Sequence, residues 1–147
     1  MWRTTRVLLL VIVALAGGCL GQHPRDASMR KRFAEKRAAF EELAAKIEAT
    51  SITGHITKEE EKTILRSGLS AFGDREFECI KREDGTVLFI YSSMGLAVAG
   101  SSKGIAYIPK KSLRFYQVLP SSSEDWPRQE NEFIKPLDGD WYIFVIH

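Results

Sequence analysis

Cysteine and histidine are scarce: the 147 residues hold two cysteines and three histidines. Two cysteines exclude a disulfide-dense scaffold and a four-cysteine zinc site. His23, His55 and His147 lie far apart, without H-E-x-x-H or any other ligand spacing, so no metal centre is read. An excess of either charge is missing as well. Lys and Arg number 21 against 19 Asp and Glu, and a net charge of +2 gives no argument for nucleic acid as a partner. Internal repeats and low-complexity segments are absent too. So are a G-x-S-x-G elbow and a neighbouring Cys–His pair. Asp138-Gly139-Asp140 lacks the further oxygen ligands of a calcium loop and reads as a turn. Glu59-Glu60-Glu61 suits a helix N-terminus rather than paired-carboxylate chemistry. Neither an enzyme nor a cofactor is expected.

What is present is an ordinary globular composition, 44% hydrophobic and 27% charged, in a length that makes one domain. The start is different. Arg3 and Arg6 precede ten uncharged apolar residues, Val7 to Ala16, and then Gly17, Gly18 and Cys19. A basic start, a short apolar core and small residues before a cut make a secretory signal. A retained membrane span is the weaker reading, because a span needs roughly 20 predominantly apolar residues. Ala16-Gly17-Gly18-Cys19 resembles the lipobox of bacterial lipoproteins, with Ala16 where Leu is usual. The resemblance implies cleavage after residue 18 and a lipid carried on Cys19. It also implies an outer-membrane location facing the periplasm in a Gram-negative cell, since Leu20 rather than Asp follows the cysteine. The plainer alternative is a secreted protein with a coincidental cysteine.

Cleavage removes Arg3 and Arg6 and brings the side-chain charge to zero. Within that zero, residues 25–37 carry +4 and residues 38–147 carry −4. Basic side chains this close to a lipidated residue are placed to meet anionic headgroups, through Arg30, Lys31 and Arg32. A solvated helix face is the equal alternative. Residues 19–28 read as a lipidated polar tether and 29–147 as a single α+β domain.

Within that domain, Met29, Phe33, Phe40, Leu43 and Ile47 form one helical stripe, with Lys36 at the missing step. Asp26 or Ser28 is the expected cap, and the helix reaches about Ala49. Thr57-Lys58-Glu59-Glu60 matches a capping box, opening a short helix that runs to Ser67 before Gly68. Ser51 to Ile56 reads as a loop. From residue 73 the period is that of strands: 76–82 and 86–91 about an Asp84-Gly85 turn, then 96–99, 105–108 and 141–146. Residues 86–91 and 141–146 are apolar at every step, which predicts central strands covered on both faces. Residues 109–140 hold four of the five prolines and read as mostly irregular, with a possible strand at 113–119. The expected fold is a long N-terminal helix and a short helix packed on an antiparallel sheet of about four to six strands. Cys79 is expected on a strand as a small buried hydrophobe.

The candidate ligand site is Gly100-Ser101-Ser102-Lys103-Gly104. Glycines at both ends permit positive φ, so N–H groups, two hydroxyls and an ammonium could converge on an anion. The plainer reading is a hairpin turn. A P-loop is rejected because its lysine follows the second glycine directly, whereas two serines intervene here. On either reading, Lys103 is replaceable without loss of fold.

The lipobox, the charged helix, SSMGLAVAGSSKGIAYIP and the closing PLDGDWYIFVI together resemble a group of small uncharacterised bacterial lipoproteins. That group shows a Gly-Ser-Ser-Lys-Gly-aromatic segment and a closing Gly-x-Trp-Tyr. The resemblance implies a single α+β domain and no assigned activity. The functional expectation is a lipid-anchored, non-catalytic binding module at the membrane surface, using Gly100–Gly104 and the 109–140 segment. The alternative is an immunity or inhibitor lipoprotein that neutralises a toxin or hydrolase.

Overall fold

The structure, a computed structural model, describes residues 23–57, 59, 60, 63, 72, 76–94 and 100–147. One long helix, α1 (Asp26–Glu48), opens the chain. Its buried residues are Met29, Phe33, Phe40, Leu43 and Ile47, the stripe expected from the sequence, together with Ala44. At Lys36, where the stripe lacks an apolar step, the backbone leaves helical geometry (φ −120°, ψ 17°). The Lys36 ammonium there donates to Glu76 Oε2 at 3.0 Å. Neither Asp26 nor Ser28 caps the helix: Arg25 holds the cap position and gives no side-chain bond. Residues 26–28, placed in the tether by sequence, are helical.

Seven strands follow: β1 (Gly54–Ile56), β2 (Cys79–Glu83), β3 (Thr86–Met94), β4 (Ser101–Tyr107), β5 (Gln117–Val118), β6 (Glu132–Asp138) and β7 (Trp141–Ile146). They form one sheet in the order β1-β2-β3-β4-β7-β6-β5. The protein is therefore α+β as expected, but with seven strands instead of four to six. The sheet is mixed instead of wholly antiparallel, because β5 runs parallel to β6. Two strands were hidden in segments read as loops. β1 is only three residues long, and β6 contains Pro136, which has no N–H for a ladder. β6 tolerates it because β5 pairs only with Phe133 and Ile134, leaving Pro136 on an open edge. A 3-10 helix (Lys110–Phe115) replaces the first half of the strand expected at 113–119. The capping box forms. The Thr57 N–H donates to Glu60 Oε2 at 2.9 Å and the Glu60 N–H to Thr57 Oγ1 at 3.3 Å. Residues 59, 60 and 63 are helical, and the remainder of that expected short helix lies outside the described residues, as does the strand expected at 96–99.

Both sheet faces are covered. α1 packs Phe33, Phe40, Leu43 and Ile47 against Ile80, Val87, Phe89, Ile105, Trp141 and Ile143. Phe40 is fully buried at the centre, with ring centroids 4.9 Å from Phe72, 5.3 Å from Phe89 and 5.7 Å from Trp141. On the opposite face, Leu88, Ile90, Ala106, Ile108, Ile134, Tyr142 and Phe144 form a second cluster. Leu113 and Tyr116 pack against it, so the 3-10 helix and the residue after it line the face that α1 cannot reach. Cys79 is half-buried against the same cluster. The Glu132 carboxyl on β6 is raised by burial and then by Glu83 of β2.

Candidate functional site

The expected Gly100–Gly104 turn is corrected by the structure: Ser101 to Gly104 are the first four residues of β4. Gly104 is buried where a side chain has no room. A Cβ there would lie 2.1 Å from the Phe89 carbonyl oxygen and 2.7 Å from the Phe144 ring. Its glycine requirement is close packing, not positive φ. In a strand, alternate residues share a face, so Ser101, Lys103 and Ile105 all look toward α1.

Lys103 is 5% exposed. Its ammonium donates to Asp26 Oδ1 at 2.5 Å. The second oxygen of that carboxylate accepts from Lys135 at 2.9 Å, and the Trp126 indole N–H donates to Oδ1 at 3.0 Å. Lys135, with no exposed surface, also donates to the Ser123 carbonyl at 2.7 Å and sits 4.0 Å from the Trp126 ring centroid. Four elements of the chain thus meet at one carboxylate: the first turn of α1, β4, β6 and the connection before β6. Burial alone would raise the Asp26 carboxyl. The bonds from Lys103, Lys135 and Trp126 outweigh that and hold it below the usual carboxylate range. The open end of a helix N-terminus favours the same charge.

Beside this cluster lies His23. Its Nδ1 is 2.6 Å from Ser92 Oγ and its Nε2 is 2.7 Å from Ser101 Oγ. Ser92 reaches the ring because of a bulge. β3 pairs Ile90 with Gly104 and then Ser92 with Lys103, leaving Tyr91 as the extra residue. That insertion turns Ser92 onto the α1 side, next to Ser101. Burial lowers the affinity of the ring for a proton, and Lys103 and His147 lower it further, against a small opposing effect of Glu78.

Of the five residues of the candidate site, Lys103 and Ser101 are engaged by partners within the fold. Gly104 is packed. Ser102 shares its hydroxyl with Ser93 at 3.1 Å, and Gly100 is exposed. The basic helix residues are also engaged. Arg30 donates to the carbonyls of Pro136 and Ser121, Arg32 lies 3.6 Å from Glu76, and Lys31 faces Glu35 at 3.9 Å with its side chain mostly in solvent. Cys19 lies outside the described residues. His23, Asp26, Trp126 and Lys135 were missed by sequence reasoning. The available signal was Lys135 itself, a lone cation inside the apolar run Phe133-Ile134-Lys135-Pro136-Leu137.

No group of His, Cys, Asp and Glu able to hold a metal occurs among the described residues. No family model, curated protein or solved structure matches the chain.

Proposed function

We propose that this protein is a lipid-anchored, non-catalytic binding module held at the membrane surface. The observation that supports the reading is how near the lipobox cysteine lies in sequence to side chains bonded into the sheet. His23 and Asp26, four and seven residues after Cys19, are bonded into the sheet, so only three residues of sequence separate the lipobox cysteine from the first side chain held there. No helix among the described residues is long and apolar enough to cross a membrane. The anchor is assigned to lipid on Cys19 on the strength of the lipobox resemblance, and several acyl chains suffice for stable attachment.

The geometry of Ser101 and His23 favours a structural role over a nucleophilic one. A serine nucleophile needs its base oriented by a further group that stabilises the imidazolium, usually a carboxylate. The second nitrogen of His23 instead meets the Ser92 hydroxyl. The partner surface is assigned to the 109–140 segment, where Phe115 and Val118 are 57% and 54% exposed. These are the exposed large hydrophobics of the described residues.

The test is Cys19→Ala in the full chain. The native protein should sediment with membranes and carry acyl chains on Cys19 by mass spectrometry, and the variant should do neither. Unchanged membrane partition of the variant would refute the proposal.

A further inference from the structure

Resting on the lipid-anchored reading above, we infer that the serine-lined end of the sheet faces the lipid surface, and that His23 is the pin that holds it there. The argument is one of reach. An extended chain spans at most about 3.6 Å per residue. Four residues from Cys19 to His23 place the pin within about 14 Å of the acylated residue. Without the pin, the next fixed point is Asp26, and the leash lengthens to about 25 Å. The helix α1 alone is about 34 Å long, so the shorter leash selects one end of the domain, whereas the longer one reaches most of the way along it.

The end selected is defined by the register. Ser92, Lys103, Val145, Phe133 and Gln117 pair in one row across five strands. The row beyond it holds Ser93 and Ser102, whose hydroxyls are 3.1 Å apart and exposed, and continues through Ile146 to Glu132 at the far side. His23 sits over Ser92 and Ser101 at the same end. Hydroxyls both donate and accept, which matches phosphate oxygens and the donor groups of phospholipid headgroups. The Asp84-Gly85 turn and the 3-10 helix start at the other end, where Lys111 lies against Gly85. From Ser102 to Tyr107 along β4 that end is about 17 Å away, at about 3.4 Å per residue. The occupant of the serine-lined end is thus the headgroup layer in which the anchor itself is embedded.

The experiment uses the full acylated chain in vesicles of phosphatidylethanolamine and phosphatidylglycerol that contain a lipid with a headgroup nitroxide. A fluorophore is attached through Ser93→Cys or Lys110→Cys, both in a Cys79→Ser background. Quenching at position 93 should exceed that at 110 several-fold. His23→Ala should bring the two within twofold of each other. His23→Gln, whose amide can bridge both hydroxyls, should restore the difference. Equal quenching at the two positions in acylated protein with His23 present overturns this inference alone. A several-fold difference that persists in His23→Ala overturns the role of the pin. Finding Cys19 unmodified by mass spectrometry overturns the anchor reading, and this inference with it.

Discussion

One carboxylate serves two buried ammonium groups in this protein, so the Asp26 cluster keeps a positive charge when all three groups are ionised. The partners are not equivalent in what their loss leaves behind. Asp26→Asn strands two cations with side chains 6% and 0% exposed, and removing one partner of a buried pair costs about 3–5 kcal/mol. Lys103→Met instead leaves a balanced Asp26–Lys135 pair and fills the same space with an apolar chain. Because no unpaired charge is left behind, it should cost less than Asp26→Asn. Denaturant midpoints of the two variants check this, and the reverse order of stability would refute the charge argument. The pH dependence has a definite sign. The Asp26 carboxyl is lowered in the folded protein, so its contribution is fully present above the ordinary value of 3.8. It is lost as pH falls below that, through the folded value. Asp26→Asn should remove this part of the acid transition. Lys103 looked like a turn donor in sequence because glycines and serines surround it. Its true partner lies 77 residues away, and no local pattern encodes that pairing.

Strands and helix differ in how openly they were written. α1, β3 and β7 were legible because their apolar residues repeat at the helical period or without interruption, and the Asp84-Gly85 turn because both residues adopt positive φ (48° and 78°). β4 was read half right: its second half is apolar, but Ser101-Ser102-Lys103-Gly104 mimics a loop. What makes it a strand is the partner on each side, β3 and β7. β6 was concealed by Pro136 and by a lysine in its core-facing row. Gly104 gives the test at this scale. Gly104→Ala places a methyl group against the fixed Phe89 carbonyl, which cannot give way without shifting β3. Overpacking of this kind costs about 1–3 kcal/mol or more. A thermal melt should show the loss. An unchanged melting temperature would mean that β3 and β4 are farther apart than described.

Over the whole molecule, charge is arranged by length along the chain rather than by face. The basic first half of α1 is largely engaged by partners within the protein: Arg30 closes the open edge of β6, and Arg32 and Lys36 hold Glu76. Arg82 performs the same service at the far end of the helix, donating to the carbonyls of Thr50 and Ile52 at 2.6 and 3.0 Å. The sequence's local sum of +4 was correct, but which of those charges remain available to lipid was not readable, because their partners come from β6 and the residues before β2.

The parallel pairing of β5 with β6 has a mechanical meaning. Two adjacent parallel strands cannot be joined by a tight turn; the chain between them must pass back over one face of the sheet. Residues 119–131 are that return passage, and they carry Ser123 and Trp126 across the lysines on the α1 side. The irregular stretch is therefore a strap, and the buckle is the charged cluster itself. A single nick after the exposed Arg128 should slacken it without removing any atom from the core. Trypsin-nicked protein should melt at lower temperature and show red-shifted Trp126 emission, whereas an unchanged melt would mean the strap bears no tension. Proteolysis would then reach, through a surface loop, the same buried lysines that substitution reaches through Asp26.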